Sequence, residues 1–171
     1  MDNYYDTIAE SYNELYKEEQ QEKIDLVKKH LKIKPEFKLL DVGCGNAFYL
    51  DDFNCECVGI DPSEKLLAQY NGKNKVFQGE AENIPFQAEE FDVVVSFTAI
   101  QNFAGIKKGL EEIKRVGKNL FVLTFIKNSM NAETTKVLIK KIFSEFNIEE
   151  VEHDKDIILI LKKANTTTLM L

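Results

Sequence analysis

Short apolar runs that alternate with helically striped segments assign this chain to the α/β class, a doubly wound sheet with helices on both faces. Two details sharpen that reading. The runs "FDVVVSF" (91–97) and "NLFVLTF" (119–125) are nearly continuous in apolar residues, as strands become when both sheet faces are covered. The closing segments "NIEEVEH" and "DIILILKK" are separated only by a turn near Asp154–Lys155. So short a link requires an antiparallel pair, because parallel strands need a crossover.

The elements follow in order. Residues 4–16 set Tyr5, Ile8, Ala9, Tyr12, Leu15 and Tyr16 on one helical face. A second amphipathic helix, with Ile24, Val27 and Leu31 inward, is expected to end before Pro35, since the residue preceding a proline disfavours helical geometry. "FKLLDV" (37–42) reads as a strand, Gly43–Asn46 as a turn and 47–53 as a short helix before a strand in "CECVGI" (55–60). "PSEKLLAQY" opens a helix with Pro62 at an early position, where a missing N–H costs least. "KVFQGE" is the next strand. Ile106, Leu110 and Ile113 stripe a helix between the two long apolar runs. A further helix over about 132–146 turns Leu138, Ile142 and Phe146 inward.

The 171 residues suit one domain, expected to span 1–163 with a helical cover over about 1–34. Residues 164–171 lack a clear element and are expected to form a disordered tail. No run of about 18 apolar residues occurs, which excludes a membrane-spanning helix. The start "MDNYYDTIAESYNELY" is acidic and aromatic, unlike a signal or transit peptide, so a cytoplasmic location is expected.

Net charge is −7, unevenly placed: residues 1–100 carry 10 lysines against 20 acids, and residues 101–171 carry 12 basic residues against 9 acids. With Arg115 the single arginine, the chain has little of the counterion-releasing surface that autonomous nucleic-acid binding uses. The lysines of the second half read as solvated helix faces. Three cysteines, Cys44, Cys55 and Cys57, cannot all pair. The C-x-C pair offers too few ligands for a tetrahedral zinc site even with His30 or His153 recruited. No metal is expected, and the cysteines read as small reduced residues.

The chemistry concentrates in "LLDVGCGNAFYL" (39–50). Gly43 and Gly45 permit tight curvature and close approach of a ligand. A dinucleotide fingerprint needs a third glycine for helix–strand packing, yet Phe48 stands there, and Ala47 stands at the looser spacing. Asp41, a carboxylate just before the loop, would repel a pyrophosphate and attract an ammonium. An amino-acid head group would satisfy Asp41 and the loop amides together. Twenty residues on, Asp61 closes the next strand, where a carboxylate accepts hydrogen bonds from ribose hydroxyls.

The segments "LLDVGCGN", "VGIDPSEKLL", "QGEAENIPF" and "FDVVVSFTAIQNF" resemble the successive motifs of the class I S-adenosylmethionine-dependent methyltransferases, over roughly residues 4–161. That resemblance implies a seven-stranded, mostly parallel sheet in order 3-2-1-4-5-7-6 with strand 7 antiparallel. It also implies S-adenosyl-L-methionine as cofactor and S-adenosyl-L-homocysteine as product. By the same resemblance Gly43, Cys44 and Gly45 line the methionine portion, Asp41 orients its ammonium, and Asp61 binds the ribose beside Pro62. Glu80, in place of the more usual aspartate, and the Ala81 amide face the adenine. Ser96 faces the sulfonium, and Tyr12 closes over the cofactor from the N-terminal helix. The family's usual third glycine is Ala47 here.

The resemblance implies in-line attack on the sulfonium methyl, and no strong catalytic residue is expected. The acceptor site is expected after the fourth strand, where Thr98, Gln101 and Asn102 stand in for the His pair of many relatives. No Asn-Pro-Pro-Tyr-like motif is present, which argues against methylation of glutamine or nucleobase amino groups. The acceptor is a small molecule or a macromolecule. An alternative is the catalytic subunit of a tRNA- or translation-factor-modifying enzyme, activated by a small zinc-binding partner that adds a strand at the exposed edge near Val76 and Phe77. A non-catalytic scaffold of the same fold is the opposing class.

Overall fold

The computed structural model describes the backbone of residues 4–164 and the side chains of residues 16–164. Its elements are α1 (Tyr4–His30), β1 (Lys38–Val42), a 3-10 turn (Leu50–Asp52), β2 (Glu56–Asp61), α2 (Glu64–Leu67) and β3 (Lys75–Gln78). Then follow β4 (Phe91–Ser96), a second 3-10 turn (Ile100–Asn102), α3 (Ile106–Val116), β5 (Gly117–Ile126), α4 (Ala132–Ile142), β6 (Phe146–Val151) and β7 (Asp156–Lys163). The strands form one sheet in the order β3-β2-β1-β4-β5-β7-β6. Pairings from β3 through β5 are parallel, and β7 runs antiparallel to both neighbours. Fold class, strand order and closing hairpin therefore match the expectation.

Strand alternation builds two cores. Leu40, Val42, Val94, Phe121, Leu123 and Leu159 face Leu110, Ile113 and Val116 of α3 and Ile139 of α4. Leu39, Val93, Val95, Val122, Ile158 and Ile160 face Ile24 and Val27 of α1, with Leu50 and Phe53 beside them. Neighbouring residues on a strand point to opposite faces, so each central strand serves both layers.

Four boundaries differ from the sequence reading. The two N-terminal helices are one 27-residue helix. No Gly or Pro interrupts them, and "KEEQQEK" (17–23) consists of strong helix formers; Tyr16 is exposed rather than inward. The helix expected at 47–53 contracts to the 3-10 turn. α2 is four residues long, and Pro62 precedes its N-cap, Ser63, whose side chain accepts the Leu66 N–H. α4 ends at Ile142, so Phe146 opens β6 instead. Its buried stripe is Ala132, Thr135 and Ile139, while Leu138 and Ile142 are half-buried. Two of those three residues, Ala132 and Thr135, are small, and a search for large apolar ones misses them. Residues 165–171, most of the expected tail, lie outside the described residues.

α1 is held to the sheet by a charged side chain. Lys23 is 1% exposed, and its Nζ lies 2.6 Å from Asp156 Oδ2 at the start of β7. The same ammonium donates to Thr98 Oγ1 and to Gln20 Oε1. Burial lowers the Lys23 pKa, while Asp156 opposes that shift. Thr98 in turn donates its amide to the Thr124 carbonyl and hydroxyl oxygens on β5. One ammonium thus joins α1 to the ends of three strands. Removing one partner of a buried pair costs about 3–5 kcal/mol, whereas replacing both by apolar groups costs far less. Lys23→Ala is expected to destabilise the chain by about 3 kcal/mol in urea unfolding, and the double variant Lys23→Met/Asp156→Leu by clearly less.

Candidate active site

The glycine turn after β1 is shaped by backbone geometry. Gly43 and Gly45 have φ of 79° and 57°, the left-handed region that glycine enters without a Cβ clash. A Cβ on Gly43 would lie 2.5 Å from Ala99 Cβ, so the turn packs directly on the segment after β4. Ala47 also has positive φ, 52°. The backbone keeps a glycine-like conformation where the family's third glycine is absent, at a strain of about 1–2 kcal/mol.

β2 anchors this turn. The Gly43 and Cys44 amides both donate to the Ile60 carbonyl, at 2.8 and 3.0 Å. The Gly45 amide donates to Asp61 Oδ2 at 2.8 Å, and Asp61 Oδ1 accepts the Ser63 amide at the same distance. These contacts correct the expectation that the loop amides stand open for a ligand carboxylate, since three of them are already engaged. The Cys44 sulfur is buried against Gly59. Burial, then Asp41 and Asp61, push its thiol pKa well up, which leaves it inert as a nucleophile.

Asp41 lies at the centre of the arrangement. It is fully buried, and Tyr49 donates its hydroxyl to Asp41 Oδ2 at 2.5 Å. The Tyr49 ring is packed edge-on by Phe48 and Phe97, which fixes the hydroxyl. Asp41 Oδ1 is buried with no hydrogen-bond partner among the described residues. Burial pushes the carboxyl pKa up to about 7, against the Tyr49 hydrogen bond and with help from Asp61. A buried carboxylate oxygen without a donor is costly, and a cationic N–H donor is the group that relieves it.

The remaining candidates divide. Pro62 is exposed, and its carbonyl accepts Gln78 Nε2. The loop after β3 is tied in by Gly79, whose amide donates to the Asp61 carbonyl; there Glu80 is exposed and Ala81 buried. Glu82 on the same loop accepts the Gly105 amide at the start of α3. Ser96 is fully buried and donates its hydroxyl to the Val42 carbonyl at 2.8 Å, joining the ends of β1 and β4. Thr98 belongs to the Lys23 cluster. Gln101 donates Nε2 to the Thr98 carbonyl, while its Oε1 is buried without a partner among the described residues. Asn102 is exposed. The Tyr12 side chain lies outside the described residues.

Asp41, the Gly43–Gly45 turn and Asp61 are thus gathered at adjoining strand ends, with the loop after β3 tied to the same place. Tyr49 and Lys23 are the residues sequence reasoning missed. A model of the methyltransferase domain family matches residues 40–122, the stretch that holds this turn, both aspartates and β4. That stretch resembles the methyltransferase domain family, and the sheet has the strand order of the class I methyltransferase fold.

The chain is moderately similar to individual relatives. It is 33% identical over 125 residues to the uncharacterized protein MJ1252 of Methanocaldococcus jannaschii, covering 71% of this chain and 49% of that protein. It is 29% identical over 120 residues to the uncharacterized methyltransferase YcgJ of Bacillus subtilis, covering 61% and 47%. The chain therefore spans about half the length of the curated relatives it matches. Among solved structures, a chain of the complex between the Haloferax volcanii Trm112 methyltransferase activator and a methyltransferase superposes with a TM-score of 0.80. That match covers 96% of this chain and 100% of the other at 13% identity, a likeness of fold. Among the described residues no helix is long and apolar enough to cross a membrane.

The raised pKa of Asp41 gives the chain a defined pH dependence. Between the ordinary value of 3.8 and about 7 the folded chain holds a proton that the unfolded chain releases, so this group's contribution to stability falls as pH rises through that window. The ligand-free protein is expected to show a falling contribution to Tm from pH 5 to 8 that is absent in Asp41→Asn. Thermal melts of the two proteins across that range check it.

Proposed function

We propose that this chain transfers a methyl group from S-adenosyl-L-methionine to an acceptor bearing a proton on nitrogen or oxygen, by in-line displacement. The observation that carries this reading is the buried, partly unpartnered Asp41 beneath a glycine turn that Asp61 holds in place. Bound S-adenosylmethionine supplies a methyl group already activated on a sulfonium, so positioning provides much of the catalysis. Asp41 Oδ1 suits its ammonium, and ionisation of Asp41 strengthens that contact. Asp61, set by the Gly45 and Ser63 amides, offers a fixed carboxylate to the ribose hydroxyls. Glu80 and the Ala81 amide stand on the loop assigned to the adenine.

Catalysis here rests on placement. The Ser96 hydroxyl is engaged by Val42 and the Cys44 thiol is inert, so neither serves as a base. Gln101 Oε1, a buried acceptor on the segment after β4, suits an N–H or O–H of the methyl acceptor. That favours a protonated nucleophile over a carboxylate. Thr98 positions Gln101 through its carbonyl, and Asn102 stands at the exposed rim.

Calorimetric titration with S-adenosylhomocysteine, beside NADH as a control, tests the reading. Saturable binding of the first alone is expected, with affinity rising as pH passes about 7 and Asp41 ionises. Asp61→Ala and Asp41→Asn are each expected to weaken it roughly tenfold or more, the loss of a charge-assisted hydrogen bond. Binding of neither ligand would favour the scaffold of the same fold.

A second reading adds a partner. β3 is an edge strand, and Phe77 on it is 44% exposed beside Phe86, their ring centroids 6.3 Å apart. An exposed aromatic on an unpaired edge suits strand addition by a small activator. The similar fold solved with the Trm112 activator supports trying that partner class first. If the reading holds, a Trm112-type activator comigrates with the chain in size-exclusion chromatography, and Phe77→Asp abolishes comigration while S-adenosylhomocysteine still binds.

A further inference from the structure

The two cysteines at the amino end of β2 lie at the opposite end of that strand from Asp61, and the methyl-transfer reading makes no use of them. Residues two apart on a regular strand are separated by about 6.6 Å. The chain bends through Phe53–Cys55 before β2 begins, and the Cys55 and Cys57 sulfurs lie 3.7 Å apart. Cys57 is 2% exposed; its sulfur lies 3.5 Å from the Cys55 carbonyl, and its amide donates to Asn74 Oδ1 at 3.1 Å. Cys55 is half-buried and reachable from solvent. The pair is therefore asymmetric, Cys55 partly exposed and Cys57 buried.

Two sulfurs alone make a poor metal site, and among the described residues no group of three or more His, Cys, Asp or Glu is placed to hold a metal ion. The electrostatics follow the geometry. The contact between the two thiols, in which either could donate, lowers the Cys55 pKa and, with burial, raises that of Cys57. An accessible thiol of lowered pKa with a second thiol in contact is the arrangement of an attacking and a resolving cysteine. Cys44 does not compete, being buried with its thiol pushed well up.

We propose that Cys55 and Cys57 form a reversible thiol–disulfide site whose co-substrate is a low-molecular-weight disulfide. The Cys55 thiolate attacks one sulfur of the small disulfide, whose S–S bond breaks and releases one thiolate, which takes up a proton from solvent. Cys57 gives its proton to solvent, and its sulfur attacks Cys55 Sγ, expelling the second small thiolate, which is protonated in turn. The two protein thiols lose two electrons and two protons, and one small disulfide becomes two thiols. The ring closes over the single residue Glu56, which pairs with Lys38 of β1. Such a small ring is strained and belongs to the easily reduced, labile class.

The full chain, incubated with oxidised glutathione under native conditions and analysed by intact mass and peptide mapping, tests the site. The expected product is a chain lighter by two hydrogens, with the bond mapped between Cys55 and Cys57 and reversed by dithiothreitol. Cys57→Ser is expected to trap one glutathione on Cys55, and Cys55→Ser to remain unmodified. Native alkylation of Cys55 is expected to run at least roughly tenfold faster than that of Cys44. A wild-type chain that stays fully reduced, keeps a stable glutathione on Cys55, or bonds through Cys44 overturns the proposal. The wild-type measurement stands whether or not the serine variants fold.

Discussion

The joint between the ends of β1 and β2 is the constraint on which the rest of the molecule depends. Gly43 and Cys44 both donate to Ile60, and Gly45 donates to the Asp61 carboxylate. Because these bonds bind the turn to the neighbouring strand, the turn cannot relax outward. Asp41 is thereby sealed beneath it with one oxygen bonded by Tyr49 and the other left over. A stability-optimised fold would place an apolar residue there. Retaining a buried carboxylate that resists ionisation is the kind of local conflict that marks a functional site.

The second organising contact is the Lys23–Asp156 pair, and it serves a different purpose. Placed where β4, β5 and β7 end, it fixes α1 against the sheet and reaches Thr98 on the segment assigned to the acceptor. One buried ammonium thus ties α1 to the segment after β4. Elsewhere several lysines of the second half are ion-paired rather than solvated on helix faces, Lys118 among them on β5. Lys114, Lys118 and Lys136 pair with Glu145, Asp92 and Glu150 at the surface, rather than forming a basic groove for a polyanion.

Much of the fold was legible because its signals are local. The apolar runs of β4 and β5, the stripe of α3 and the short link between β6 and β7 each lie within a few residues and carry their own period. Misread boundaries fell where locality failed. Nothing local joins the two halves of α1 except the absence of a breaker, and the stripe of α4 runs through Ala132 and Thr135. The site was half legible. Spacing found Asp41, the glycines and Asp61, but it assigned their amides to a ligand when Ile60 and Asp61 engage them.

The sequence by itself determined the layer architecture, the strand order implied by its motifs, and the carboxylate–glycine–carboxylate pattern at the strand ends. The first and last follow from periodicity and from residue types that serve one backbone conformation, whereas the strand order follows only from the resemblance to a known family. Only the tertiary structure decided which donor meets which acceptor. Ser96 reaches Val42 across 54 positions, Lys23 reaches Thr98 across 75, and Tyr49 turns back onto Asp41 across 8. A side-chain hydrogen bond depends on positions a few ångströms apart in space, and separation along the chain carries no record of that until the sheet has closed.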